Sequence, residues 1–219
     1  MEILQLLITG ITEGCVYGLI ALGFVLIYKA TELVNFAQGD LMMLGAFSAI
    51  SFVELGFPYW IAILSAIVCM AVFGYLLDKL VLRSMIGQPA FAVIILTIGL
   101  GFVFRAIAGE IWGHEPRILV SPFSGKIVDF FGLSLSQENL VLVIVTAVLC
   151  LLLYLFFTFT PLGIVMQAAS QNQLAAYYMG IPVKQIFSLI WALSAAIATV
   201  AGILMAPISL VDPQMGFFH

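Results

Sequence analysis

LVLVIVTAVLCLLLYLFF, residues 140–157, is the stretch that decides the fold of this chain. Apolar and polar residues do not alternate along it, as they would in a strand of a transmembrane β-barrel. At a rise of about 1.5 Å per residue, a helix of this length crosses most of the roughly 30 Å hydrocarbon core of a bilayer. Residues 90–104 show the same pattern, so the sequence predicts membrane-spanning helices.

The composition of the whole chain agrees with a membrane environment. Of the 219 residues, 64% are hydrophobic and only 8% are charged, whereas a soluble domain carries about 25% charged residues. The mean hydropathy is +1.24. The net charge of −4 argues against nucleic acid as a partner, because no basic patch is available to meet phosphates.

Six apolar stretches are long enough to cross a bilayer. They cover residues 3–28, 33–53, 58–82, 89–108, 139–160 and 185–208. We therefore predict an all-α integral membrane protein, a polytopic helical bundle with at least six transmembrane helices. The N-terminus lacks the basic region of a signal peptide, so the first segment is expected to remain in the mature protein.

Basic residues set the predicted orientation, because cytoplasmic loops are rich in Lys and Arg. Lys29 follows the first segment, Lys79 and Arg83 lie at the end of the third, and Lys184 precedes the sixth. These residues therefore mark every second connection between segments. This pattern places the N-terminus outside. The segments predicted to lie in the cytoplasm are residues 29–32, 83–88 and 161–184.

The longest connection, residues 109–138, is then an extracytoplasmic loop. Glycines and prolines punctuate it as turns. Its two short apolar runs, residues 118–120 and 126–128, are expected to pair as a small hairpin. Two interpretations of this loop are equally good: it caps the outer face and contacts a delivery protein, or it is a folded loop with no partner.

Small residues recur every fourth position in the first and last segments, which lets another helix approach closely. In the first segment they are Gly10, Gly14 and Gly18. In the last they are Ser194, Ala198, Gly202 and Ala206. Ordinary helix packing is the favoured interpretation of both stripes.

Several polar residues lie within apolar segments, where they are costly unless they face protein or a cavity. Glu13 is a candidate pathway residue, although water or a neighbouring Thr12 would also satisfy it. The stretch 35–40, NFAQGD, predicts either a helix broken at membrane depth or a helix that starts near Gly39 at the cytoplasmic interface. Arg105 is interpreted as an interfacial anchor.

Motifs of several other functions are missing from the sequence. It has no GxxxxGK[ST] phosphate loop, so the chain is not expected to hydrolyse ATP or to act as an enzyme. His114 and His219 form no metal-ligand cluster, and the three cysteines are interpreted as packing residues. A secondary transporter or a channel remains an alternative, although the buried carboxylates and charged rings typical of those proteins are scarce.

Three stretches carry a resemblance to a known family. They are residues 34–40, VNFAQGD, with MLGA at 43–46; residues 169–181, ASQNQLAAYYMGI; and residues 201–216, from AGIL to PQMG. Together they resemble the permeases of the branched-chain amino acid ABC transporters. The middle stretch is similar to the cytoplasmic coupling loop by which such permeases dock their ATPases, and Gly180 and Pro182 predict the end of a helix that begins after residues 161–163.

The resemblance implies a single transmembrane permease domain over residues 1–219, in the inner membrane of a bacterium. It implies four kinds of partner besides the lipid bilayer: a sister permease, two cytoplasmic ATPase subunits, which bind the ATP, and a periplasmic solute-binding protein. No cofactor is expected in this chain. The cargo would be a branched-chain amino acid carried by alternating access, with urea or a short-chain amide as the alternative.

The resemblance also implies roles for individual residues. The ATPase-coupling residues would be Asn172, Ala175, Ala176 and Gly180. The residues bordering the substrate pathway would be Asn35, Phe36, Gln38 and Gly39. Two features depart from the family: residues 161–183 contain no Lys or Arg, and the sequence stops where relatives continue into further helices, so a C-terminal truncation is expected.

Overall fold

The computed structural model describes residues 2–31, 34–85, 88–119, 121–122, 127–130, 133–208 and 210–213. These residues form α-helices and one short hairpin. In chain order they are α1 (Glu2–Thr31), α2 (Gln38–Glu54), α3 (Tyr59–Leu80), a 3-10 turn (Leu82–Met85), α4 (Ala90–Trp112), β1 (Ile127–Phe130), β2 (Leu133–Ser136), α5 (Gln137–Phe159), α6 (Pro161–Gln171), α7 (Gln173–Tyr178) and α8 (Val183–Met205).

Proline sets the start of four of these helices. Pro58, Pro89 and Pro182 are the residues immediately before α3, α4 and α8, and Pro161 is the first residue of α6. Proline suits these positions because its fixed φ matches the helix and its missing N–H would have no partner in the first turn. The sequence therefore encodes these boundaries locally.

The prediction of an all-α polytopic membrane protein is confirmed. Each of the six predicted segments contains a helix, and five of the described helices, α1, α3, α4, α5 and α8, are long and apolar enough to cross a membrane. The second segment differs, because α2 has only 17 residues and spans about 25 Å, less than the roughly 30 Å of a hydrocarbon core.

The core of the bundle is built around α2 and α8. Buried residues run along almost all of α2, and α8 is the most buried of the long apolar helices, whereas α5 is the least. α8 packs on α1, α2 and α3, and α5 lies outside against α1 and α6. We refer to the end where α1 and α3 finish and α4 and α8 begin as the predicted cytoplasmic end.

At the opposite end, the loop before α5 differs from its prediction. A hairpin is present, but Ile127–Phe130 pairs antiparallel with Leu133–Ser136 rather than with residues 118–120. Residues 120 and 126 of the predicted pair lie outside the described residues. Instead, the backbone of Arg117 pairs with that of Val211 just beyond α8, and the Arg117 guanidinium contacts Glu54 at 2.6 Å. The loop is thus fastened to the ends of α2 and α8, contacts that local sequence does not encode.

Candidate functional site

The polar residues before and at the start of α2 lie inside the protein. Asn35, Gln38 and Asp40 are only 2%, 1% and 1% exposed. Polar groups buried to this degree require hydrogen-bonding partners. Partners outside this stretch come from α4 and α8, and α1 approaches the same place through Gly23, whose carbonyl lies 3.0 Å from the Ser194 hydroxyl. Four parts of the chain therefore meet at the beginning of α2.

The partners show how deep α2 begins. The Ser194 hydroxyl donates to Gln38 Oε1 at 3.1 Å, and Ser194 lies eleven residues into α8, about 16 Å from its start. The Phe36 amide donates to Thr97 Oγ1 at 3.3 Å, and Thr97 lies about 10 Å into α4. This geometry favours a helix that starts at membrane depth over one that starts at the cytoplasmic interface.

A small amide network holds this start in place. Asn35 Oδ1 accepts from the Ala37 amide at 3.0 Å, a turn that Asn favours, and this fixes Asn35 Nδ2 to donate to Gln38 Oε1 at 3.4 Å. Among the described residues, none accepts a hydrogen bond from Gln38 Nε2. The amide rests instead on Gly23 of α1, where any Cβ would collide with it.

Asp40 and Arg105 form an ion pair inside the bundle. Arg105 Nε donates to Asp40 Oδ1 at 2.6 Å and Arg105 Nη2 donates to Asp40 Oδ2 at 3.1 Å, which is the bidentate geometry that suits a guanidinium. Arg105, predicted as an interfacial anchor, thus also has a protein partner on α2. Asp40 and Arg105 are opposite charges within apolar segments, and that feature alone was a signal for their pairing.

The remaining predicted pathway residues are placed differently. Gly39 is buried with its neighbours, whereas the Phe36 side chain is half exposed. Glu13 points outward from α1. It shares that outward surface with Gly10, Gly14 and Gly18, where a Cβ would meet nothing within 4 Å. By contrast, Gly202 of α8 lies directly against the Met42 carbonyl of α2.

The predicted coupling loop contains two short helices rather than one. Thr160 caps α6 by accepting from the Gly163 amide at 3.0 Å, and Asn172 ends α6 and caps α7 by accepting from the Ala175 amide at 2.8 Å. Gly180 follows α7 with φ of +80°, a left-handed conformation that glycine adopts without strain. The residues predicted for coupling therefore include the cap and the terminator of α7.

Only one face of α7 is covered. Ala176 is buried against Met166 and Ile186, while Ala175 is exposed. The other face presents four large apolar side chains to the surroundings, and we call them the α7 patch: Leu174, Tyr177, Tyr178 and Met179. Residues 161–184 are predicted to lie in the cytoplasm, where no lipid would cover these side chains, so such a cluster is a candidate surface for a partner.

A separate cavity of about 320 Å³ lies between α1, α5, α6 and α8. Its lining is apolar except for the thiol of Cys150, the hydroxyls of Tyr154 and Ser170, and the amide of Gln167, whose Nε2 donates to the Phe157 carbonyl at 3.3 Å. It offers no charged side chain to hold an ammonium or a carboxylate. The polar start of α2 is therefore the better candidate for contact with a polar solute.

A polytopic bundle with a helix broken at membrane depth and an exposed helical patch beside its end has the features of a membrane transport subunit. The chain belongs to the family described as branched-chain amino acid transport system / permease component, which it matches over residues 6–218. No solved structure shows a significant match to it.

Several curated proteins are similar to this chain. It is 25% identical to the high-affinity branched-chain amino acid transport system permease protein LivH of Escherichia coli K12, over 98% of this chain and 74% of the relative. It is 27% identical to the corresponding protein BraD of Pseudomonas aeruginosa, with the same coverage. It is also 27% identical to the fructose import permease protein FruF of Bifidobacterium longum, over 90% of this chain and 54% of that relative.

Proposed function

We propose that this chain is the membrane-spanning permease subunit of an ATP-driven importer that carries branched-chain amino acids by alternating access. Family membership and the names of the LivH and BraD relatives support this cargo. The sequence has no phosphate loop of its own, so ATP would be bound by partner subunits. The proposed location is the inner membrane of a bacterium.

The α7 patch is the observation that carries the proposal. It lies beside the predicted cytoplasmic end, where an ATPase subunit would dock, and its apolar side chains have no neighbour within the described chain to cover them. Residues 161–183 contain no Lys or Arg, but Arg83 and Lys184 line one cavity with Leu174 and Tyr177, so docking would combine apolar contact with these two cations. Two ATPase subunits, a sister permease and a periplasmic solute-binding protein would complete the transporter.

The start of α2 is the proposed contact for the solute. Asn35, Phe36, Gln38 and Gly39 would border the pathway, and a shift of α1 away from α2 would uncover the Gln38 amide that rests on Gly23. Polar backbone and amide groups at a broken helix are suited to bind the charged ends of a small solute. Glu13 remains a candidate on the outward face of α1.

The first test is ATP hydrolysis by the reconstituted transporter, with the full-length chain, its sister permease, ATPase subunits and binding protein. Gly180→Asp is expected to abolish the response of hydrolysis to loaded binding protein, because Asp at φ +80° strains the end of α7 and adds a charge beside its patch. Gly56→Asp is the matched control, since Gly56 has φ of +88° at the opposite end of the bundle. A transporter in which both variants respond like the unsubstituted chain would contradict the docking role.

The same preparation identifies the cargo. Uptake of labelled leucine, isoleucine and valine is compared with uptake of urea, acetamide and fructose, the last because of the similarity to a fructose import permease. ATP-dependent uptake of the three amino acids supports the proposal. Preferred uptake of another solute would assign a different cargo, and flux that needs no ATPase subunit would indicate a secondary transporter or a channel.

A further inference from the structure

A buried carboxylate near the predicted cytoplasmic end has no role in the function proposed above. Asp78 lies in the last turn of α3 and is only 4% exposed. Its Oδ2 accepts a hydrogen bond of 2.6 Å from the hydroxyl of Ser188, which lies on α8 and is fully buried. A buried carboxylate is costly unless its oxygens are satisfied, so this contact fixes α3 and α8 together.

Arg83 completes the arrangement from the 3-10 turn. Its Nη2 donates to Ser188 Oγ at 2.8 Å and to the Lys184 carbonyl at 3.1 Å. The single hydroxyl of Ser188 therefore donates to a carboxylate and accepts from a guanidinium. Hydrogen bonds with one charged partner are about twice as strong as neutral ones, so this bridge is a strong link between elements. We call Asp78, Arg83 and Ser188 the polar bridge.

The position of the polar bridge places it next to the predicted coupling loop. Lys184 is the last residue of that loop and lies in the first turn of α8, one helical turn before Ser188. Residues 179–182 form the short connection from α7 to α8. A displacement of α7 would therefore also displace the first turn of α8. Arg83 of the polar bridge contacts that turn at Lys184 and Ser188.

α3 and α8 also pack closely away from the polar bridge. A Cβ at Gly74 would lie 2.7 Å from the Trp191 carbonyl, so the two backbones nearly touch about one turn further into the membrane. Close packing of this kind resists sliding. The two helices can thus move as one body, provided that the polar bridge ties the end of α3 to the start of α8.

We propose that the polar bridge transmits movement of α7 to the α3–α8 pair, with Ser188 as the positioning residue that joins the two charges. This inference rests on the function proposed above. It assigns coupling of hydrolysis to transport to three side chains that lie outside both the α7 patch and the start of α2. None of the three needs to touch the solute.

The test compares Ser188→Ala with Ser84→Ala in the reconstituted transporter. Ser84 is an exposed residue of the same 3-10 turn, and its hydroxyl donates to the nearby Val81 carbonyl. Two quantities are measured: basal ATP hydrolysis, and the number of solute molecules taken up per ATP. We expect Ser188→Ala to keep basal hydrolysis within about twofold and to lower uptake per ATP roughly tenfold, the factor expected for a lost charge-assisted hydrogen bond. Ser84→Ala should change neither quantity.

A second pair of variants addresses the guanidinium. Arg83→Met removes the donor to Ser188, whereas Arg83→Lys keeps a charged donor at this half-buried site. We expect Arg83→Met to resemble Ser188→Ala, and Arg83→Lys to restore part of the uptake per ATP. Thermal unfolding of each variant is recorded, so that a loss of folded transporter is separated from a loss of coupling.

Two results would overturn the inference while leaving the proposed function intact. One is uptake per ATP in Ser188→Ala equal to that in Ser84→Ala. The other is a parallel fall of hydrolysis, uptake and unfolding temperature, since that describes a bond that only stabilises the fold. If the unsubstituted transporter takes up solute without any need for ATP, the proposed function fails and the inference fails with it.

Discussion

Asp40 carries a carboxylate into the interior of a membrane protein, where an unpaired charge costs several kcal/mol. Arg105 supplies the opposite charge 65 positions further along the chain, with both carboxylate oxygens bonded. Gly101, one turn before Arg105, allows this contact, because a Cβ there would collide with Asp40 Oδ2. The pair thus fixes α2 to α4 at the turn that follows Asn35 and Gln38.

Removing one member of this pair should be far worse than removing both. Arg105→Met leaves the buried Asp40 without its partner and is expected to lower the free energy of unfolding in detergent by about 3–5 kcal/mol. The double variant Asp40→Leu with Arg105→Met removes both charges and should recover most of that loss. A double variant as unstable as the single one would show that the pair does not act as a unit.

At the residue scale, sequence reasoning identified the polar residues but not their partners. Asn35 and Gln38 stand out because they interrupt an apolar segment, a local feature. The Ser194 hydroxyl contacts Gln38 Oε1, and the Thr97 hydroxyl accepts a hydrogen bond from the amide of Phe36. In the sequence, both residues look like ordinary members of apolar helices. Their role depends on which helix faces which, and that is decided by packing across the whole bundle.

Close approach of α2 and α8 defines the centre of the bundle at the scale of elements. Gly45 of α2 faces Thr199, where a Cβ would lie 2.6 Å from the Thr199 Cα, and Gly202 of α8 faces the Met42 carbonyl. Each helix therefore has a glycine, which lacks a side chain, at the point where the other helix lies closest. In a bilayer, such contact is a main source of helix association.

A large side chain at Gly202 should separate these two helices. Gly202→Leu is expected to lower the free energy of unfolding by about 1–3 kcal/mol or more, because overpacking against backbone cannot be relieved by a rotamer change. Gly99→Leu is the matched control, since a Cβ at Gly99 meets nothing within 4 Å. Thermal unfolding in detergent measures both. If Gly202→Leu and Gly99→Leu were equally stable, α2 and α8 would have to move apart at little cost to accommodate the new side chain.

Helix bounds were predictable where hydropathy and proline agree. The predicted segment 58–82 corresponds to α3, Tyr59–Leu80, and 139–160 corresponds to α5, Gln137–Phe159. The segment 33–53 began too early, because residues 34–37 are apolar enough to extend the run although they form no helix. The break at Asn172 between α6 and α7 was missed for a related reason, since hydropathy does not detect a capping side chain.

Across the whole molecule, charge and contacts divide the bundle into two ends. Arg83 and Lys184 lie together at the predicted cytoplasmic end, and Glu54 lies at the other with Arg117. The length and apolarity of the helices follow from composition, whereas the assignment of one end to the cytoplasm follows only from the distribution of Lys and Arg. The α7 patch and the polar bridge both take their proposed meaning from that assignment.

Cysteine labelling in intact cells tests the orientation directly. After Cys15, Cys69 and Cys150 are replaced by Ala, single cysteines are introduced at two exposed positions, Gln171→Cys at the end of α6 and Glu115→Cys in the loop after α4. A membrane-impermeant maleimide added from outside should label Glu115→Cys at once and Gln171→Cys only after the membrane is permeabilised, because residues 161–184 are predicted to be cytoplasmic. The reverse pattern would turn the α7 patch away from any ATPase and remove the basis for docking there.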